Sequence, residues 1–230
     1  MLFKYFSLAL LASATQAIPV ADVEQSEDDL VLFKRDSVLS ARDLELADIH
    51  GVNLTEMYKH SMFKRDDGDH IVIWVARSFS EHQDGTLMKR QQARPGKNGY
   101  YTEYAVSDYC RCHSRQNHAG PNGPYSGGVQ AMYNWANSHR GYFVVQSSWE
   151  NLMIAGSNTG ANAVYRAKIK NGRDGTIVGT MDVRNDADWT QNRAMEFSGR
   201  GWRASSKGGE DCSGSGIRIL YEIVRSDYRV

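Results

Sequence analysis

Six consecutive apolar residues, Ile71, Val72, Ile73, Trp74, Val75 and Ala76, stand in an otherwise polar stretch of this 230-residue chain. A run of that length without polar alternation reads as a strand buried on both faces, and marks the segment as core. Beyond it the pattern is mixed. Residues 100–109 are aromatic-rich and read as a second strand with Cys110 at its end. Pro121, Asn122, Gly123 and Pro124 break the chain. Ser126 can then cap a helix whose Val129, Met132, Tyr133 and Ala136 make the stripe that an amphipathic helix buries. His139 and Arg140 suit the negative C-terminal end of that helix, and Gly141 can take a left-handed cap.

Residues 142–147 read as a strand, and a hairpin comes next. Tyr165, Ala167 and Ile169 alternate with Arg166, Lys168 and Lys170, a turn is expected at residues 171–175, and Ile177, Met181 and Val183 return on the apolar face. Residues 186–197 predict a second helix, and Ile217, Ile219, Tyr221 and Ile223 a closing strand. The order β-β-α-β-β-β-α-β lacks a regular βαβ repeat. The expected fold class is α+β: a mostly antiparallel sheet with two helices packed on one face, an α/β sandwich.

The start of the chain carries a different message. Lys4, the apolar residues 6–12, and Thr15, Gln16 and Ala17 have the charged, apolar and small-residue parts of a signal peptide over residues 1–17. The run is shorter than the roughly 20 residues needed to span a bilayer. The expected localisation is secreted and extracellular. Three dibasic pairs punctuate the next seventy or so residues (about 20–90): Lys34 and Arg35, Lys64 and Arg65, Lys89 and Arg90. Each has an aliphatic residue two positions before its Lys (Leu32, Met62, Leu87), the context of sites cut by a kexin-type processing protease. This divides the chain into an acidic pro-region at 18–65, a segment at 66–90 holding a core strand that can stay bound after cleavage, and a mature domain at 91–230. Residues 91–230 hold 17 Lys and Arg against 12 Asp and Glu, a net +5, and residues 1–90 hold the opposite −5. An acidic pro-piece beside a basic product suggests masking or chaperoning. Little periodicity is visible in the pro-region, which is expected to be mostly disordered, with Asn53 as the acceptor of an Asn-Leu-Thr glycosylation sequon.

Cys110, Cys112 and Cys212 all lie in the mature part. A bridge between Cys110 and Cys112 would be strained, so Cys212 is expected to pair with one or the other, leaving one thiol over. Such a bridge closes a loop of about 100 residues, worth about 4 to 5 kcal/mol in the chain-entropy model. Cys110, Cys112, His113 and His118 lack the paired knuckles of a structural zinc site, and no metal or other cofactor is assigned.

Within residues 100–225, Tyr125-Ser126-Gly127-Gly128 before a helix, Ser148-Trp149-Glu150-Asn151-Leu152 and Met181-Asp182-Val183 resemble the fungal condition-specific secretion proteins and the related Klus-type killer toxins of yeasts. The signal peptide and dibasic pro-region resemble killer-toxin preprotoxins as well. The resemblance implies a secreted cytotoxin-like protein that binds a target cell's wall or membrane and perturbs the membrane, without catalytic residues. From the residues themselves, the row Arg166, Lys168 and Lys170 is the expected surface-binding element, directed at anionic wall polymers or head groups rather than nucleic acid. Trp189, Arg193, Trp202 and Arg203 are candidates to extend it. The alternative is a secreted nuclease or other small hydrolase, in which Glu103, His113, His118 and His139 with Arg111 or Arg115 supply acid, base and phosphate clamp.

Overall fold

Cysteines far apart in sequence and a central apolar strand predict long-range strand pairing, and among the described residues strands pair from Leu30 to Arg225. The computed structural model describes residues 30–64, 69–82, 94–96, 99–101, 105–158, 162–171, 175–212 and 217–226. Its elements are β1 (Leu30–Leu32), α1 (Ala41–Ile49), β2 (Met57–Lys64), β3 (His70–Ala76), β4 (Ser80–Glu81), β5 (Arg94–Gly96), β6 (Gly99–Tyr101), β7 (Cys110–Asn117) and α2 (Ser126–Ser138). Then come β8 (Gly141–Val145), β9 (Glu150–Ser157), β10 (Ala163–Asn171), β11 (Thr176–Gly179), α3 (Thr180–Gln191), β12 (Met195–Phe197), β13 (Gly201–Arg203), β14 (Ser206–Cys212) and β15 (Ile217–Arg225). The fold is α+β, as expected, built on a mostly antiparallel sheet. Eight strands form that sheet in the order β1-β2-β3-β9-β10-β15-β14-β7. A small sheet β11-β8-β4 and the hairpins β5-β6 and β12-β13 complete it.

Helices α2 and α3 pack against each other on one face. They enclose Trp135, Met132, Phe143, Tyr165, Tyr221 and Ile223, all fully buried. The opposite face carries a second core, where Leu46 and Ala47 of α1 meet Val72, Trp74, Ile154 and Val164. Strand β3 lies between β2 and β9 and feeds both cores, with Ile73 and Val75 on one side and Trp74 and Val72 on the other. That is why its sequence does not alternate.

The expected disorder of residues 18–65 is corrected for residues 30–64. Ser40 caps α1 reciprocally with Asp43, each side chain taking the other's backbone N–H at 3.0–3.1 Å. Asp43 also pairs with the buried Lys59 of β2 at 2.6 Å, and the Lys59 ammonium sits 3.9 Å from the centre of the Phe33 ring. A register shift between Lys59 and Ser61 sends His60 into the α2 side of the sheet. On the other side the His50 ring fills the space that a side chain at position 156 would need, since a Cβ on Gly156 would lie 2.4 Å from it. Charge pairing and tertiary packing, which local periodicity does not display, order this segment.

Three further expectations change. Of the strand placed at 100–109, Tyr100 and Tyr101 belong to β6 in the small β5-β6 hairpin, and the strand of the main sheet begins only at Cys110, where Asp182 takes the backbone N–H groups of Tyr109 and Cys110. The predicted hairpin partner of β10 does not pair with it: β11 pairs with β8, and β10 lies between β9 and β15. Met181 and Val183, read as strand, belong to α3, which starts six residues before the predicted helix. A third helix, α1, joins the two expected on one face.

Candidate functional site

The sheet offers two surfaces of different chemistry. The first is its face beyond the cover of α1. Register aligns Arg166, Glu222, Lys207 and Gln116 in one row across β10, β15, β14 and β7, and Lys168, Leu220, Gly209 and Ser114 in the next. Trp149, just before β9, lies 5.0 Å below the Arg166 guanidinium and 4.9 Å from the Lys168 ammonium. Ser114, Gln116, Trp149, Lys207, Leu220 and Glu222 line a shallow groove of about 170 Å³. Of the expected basic row, Arg166 and Lys168 share this face, whereas Lys170 falls at the register shift between Ile169 and Asn171, and the three differ in their surroundings. Arg166 is half-buried and donates to Glu222 from Nε at 2.8 Å. Lys168 caps the indole, and Lys170 is exposed with no ion pair among the described residues. Lys207, outside the predicted row, is exposed beside them.

The second surface is a cleft of about 360 Å³ on the helix side, between α3 and strands β7 and β14. Its floor is made where α3 begins. The Ser107 backbone, at a positive φ of 60°, crosses that helix end so closely that a Cβ on Gly179 would lie 1.9 Å from the Ser107 carbonyl oxygen. Only glycine fits there. Asp182 accepts backbone N–H bonds from Gly179 at 2.7 Å and from Tyr109 and Cys110 at 3.1 Å. Burial pushes its carboxyl up in pKa, against the pull of those three donors.

One turn later, fully buried Asp186 accepts from Arg115 Nε at 2.9 Å and Nη2 at 2.8 Å, and from the Tyr165 hydroxyl at 3.0 Å. Burial lifts Asp186 to about 6, with the Arg115 charge acting the other way. The Tyr165 ring stacks on Tyr221 with centroids 5.6 Å apart. Glu210, only 2 % exposed, pairs in register with Cys112 and reaches the cleft. Its Oε2 has no hydrogen-bond partner among the described residues. Burial, then the charges of Asp186 and Asp182, drive its pKa well above the ordinary carboxylate range.

A disulfide joins Cys110 and Cys212 across β7 and β14, deciding between the two expected pairings, and Cys112 is an exposed free thiol at the cleft. Cys110, Glu210 and Cys212 lie within metal-ligand reach of one another, but the two sulfurs are bonded together. His60, Glu81 and His139 form a second such group. There Trp135 Nε1 donates to His60 Nδ1 at 3.2 Å, so the neutral ring carries its proton on Nε2 and has no lone pair left for a cation.

The histidines of the hydrolase expectation do not converge. His113 lies between Asp211, 3.4 Å away, and Arg218, on the other face of the sheet from the cleft. His118 is exposed at the end of β7, and buried His139 stacks on Trp135 at 4.8 Å. Glu103 lies outside the described residues, as do residues 1–29, Arg65, Lys89 and Arg90. Arg115 belongs to the Asp186 pair, and Arg111 pairs with Asp108 at 3.0 Å. Trp189 and Arg193, expected to extend the basic row, are instead at the cleft on the opposite side. Arg203 is buried over the Tyr125 ring and donates to the Arg200 and Gly123 carbonyls, a structural clamp, while Trp202 is exposed.

Lys34 and Arg35 are both exposed between β1 and α1, and Arg35 donates to the Phe79 carbonyl. Lys64 is exposed at the end of β2. Asn53 is exposed, and its Oδ1 accepts from the Thr55 N–H at 3.1 Å and hydroxyl at 2.7 Å. Sequence reasoning missed Asp182, Asp186 and Glu210. The i, i+4 spacing of the two aspartates would have found the cleft had the helix been started after Gly179.

Neither a scan against protein-family models nor a search of the curated proteins finds a match for this chain. Among the described residues, no helix is long and apolar enough to cross a membrane.

Proposed function

We propose that the chain is a secreted, kexin-processed protein of killer-toxin type that docks on an anionic target-cell surface and perturbs the membrane beneath it. The observation that carries the docking step is the grouping of Lys168 and Lys207 with Trp149 on the sheet face beyond α1, with Lys170 exposed farther along β10. Cations on β10 and β14, either side of β15, give one sheet face a positive field suited to wall phosphates or phospholipid head groups, and an indole beside them suits the border between polar and apolar phases. The net +5 of residues 91–230 adds long-range attraction. Arg166 contributes less than the sequence suggests, because Glu222 neutralises it. The membrane step rests on the resemblance to killer toxins. Changing Lys168, Lys170 and Lys207 together to Glu should abolish binding to a panel of fungal cells and the dye uptake that accompanies it, with the fold retained. Binding that matches the parent and ignores salt would overturn the docking surface.

A further inference from the structure

We propose that the cleft between α3 and strands β7 and β14 is a binding site for a small organic cation, a primary ammonium or a guanidinium on a short aliphatic stem, with Glu210 as its carboxylate partner. Glu210 is a buried carboxyl that lines an open cleft, and its Oε2 is unpartnered among the described residues. A buried oxygen in that state costs free energy unless something completes it.

The groups around it say what would. Asp182 and Asp186 face it from α3, Arg115 and Cys112 from β7, with Tyr221 of β15 and Tyr165 of β10 behind Asp186. Arg115 is bound on one edge to Asp186, which leaves the Asp182 and Glu210 carboxyls without an ion-pair partner among the described residues. The surroundings therefore favour a positive charge at Glu210, which in this proposal is first a proton. An entering ammonium exchanges with it: the Glu210 carboxyl releases its proton to solvent and the carboxylate pairs with the ligand's N–H donors. A metal ion is a poorer fit, because the sulfurs nearest Glu210 are joined as a disulfide.

The rest of the cleft suits the stem of such a ligand. Its volume of about 360 Å³ takes a butyl or pentyl chain with room for water. Trp189 supplies an apolar wall, and Asn185, Asp188 and Asn192 offer acceptors. Arg193, 4.1 Å from the centre of the Trp189 ring, and Arg111, paired with Asp108, add guanidinium groups to the lining. They select a single cationic head inserted deeply over a polycation lying across the rim.

The test titrates the full chain with n-butylammonium, n-butylguanidinium, spermidine and, as the neutral control, n-butanol. Calorimetry in two buffers of different ionisation heat reads both binding and proton transfer. Saturable binding of one or both monocations is expected, with release approaching about one proton per ligand, weaker binding of spermidine and none of n-butanol. Glu210→Gln, which matches the protonated acid in shape, should keep the melting temperature and weaken binding by about 30-fold or more. If that variant does not fold, proton release in the parent and the n-butanol comparison decide. Absence of binding, equal binding of n-butanol, no proton release, or undiminished binding by folded Glu210→Gln would each overturn the proposal.

Discussion

The indole N–H of Trp135 donates to Nδ1 of His60 at 3.2 Å, and so ties β2 to α2 across the buried core. A second bond of the same kind, from Trp74 Nε1 to His50 Nδ1 at 3.0 Å, ties the end of α1 to β3 on the other face of the sheet. Both acceptors lie before the second dibasic pair in the chain, and both donors lie after it. Each bond needs a neutral imidazole, because a protonated ring would present an N–H to another N–H.

The first prediction rests on that requirement. Burial, and then His139, lower the His60 pKa from 6.5 to about 4. Between those values the unfolded chain binds the proton and the folded chain does not, so this residue's contribution to stability falls as pH drops from 6.5 toward 4. Asp186, raised to about 6, works in the opposite direction, since the folded state takes up its proton first. The measurement must therefore be a difference. The stability advantage of the parent over His60→Gln should shrink by about 3 kcal/mol between pH 7 and pH 4. A pH-independent advantage in parallel urea titrations would contradict it.

The disulfide gives a second prediction. Cys110 and Cys212 are 102 residues apart in sequence and fully or nearly buried, while Cys112 is exposed. An alkylating reagent should label only Cys112 in the native protein. Cys212→Ser should cost up to about 4 to 5 kcal/mol, the chain-entropy limit for such a loop, and Cys112→Ser close to nothing. Peptide mapping that recovers Cys212 as the native thiol would show the pairing to be wrong.

The buried ion pair supplies the third. Arg115→Met leaves Asp186 in the core without its cation, with the Tyr165 hydroxyl still donating to it. Removing one partner of a buried pair typically costs about 3–5 kcal/mol. Because the orphaned carboxyl can take a proton, the loss should be large at pH 8 and smaller at pH 5. Adding Asp186→Leu to that variant should restore part of the stability. An Arg115→Met protein as stable as its parent at pH 8 would remove the pair from the account of the core.

The parts of this fold that are legible in the sequence are those where one local signal decides the outcome. The unbroken apolar residues 71–76 mark the doubly covered β3, and the alternation around Tyr165 marks β10. Val129, Met132 and Ala136 mark the buried stripe of α2. Strand β14 escapes such a reading because Ser206, Lys207, Gly208, Gly209, Glu210 and Asp211 have no apolar period; pairing on both sides and the disulfide at Cys212 make it a strand. The start of α3 is displaced from its expected place because it depends on the loop crossing at Ser107 and Gly179, a contact between segments about 70 residues apart. The candidate cleft is hidden for the same reason: Glu210 meets Asp182 and Asp186 only after β14 pairs with β7.

The last prediction concerns what the proposed kexin-type processing would leave behind. Strands β1, β2 and β3 form one end of the eight-stranded sheet, and β3 pairs with β9 from Ile71 opposite Ser157 to Val75 opposite Met153. Losing everything before Gln91 would uncover the β9 edge, remove α1 from Ile154 and Val164, and leave Trp135 without His60. An exposed edge of that length is a template for aggregation. All three cysteines lie after residue 90, so no disulfide can hold the earlier segments. Packing and backbone pairing alone should retain them. After cleavage at the dibasic pairs, peptides covering 36–65 and 66–90 should co-elute with 91–230 in native size exclusion and separate in denaturant. A chain beginning at Gln91 should melt cooperatively only when a peptide spanning residues 36–90 is supplied. A cooperative melt from the short chain alone, or native elution free of both peptides, would show that the sheet closes without its first three strands.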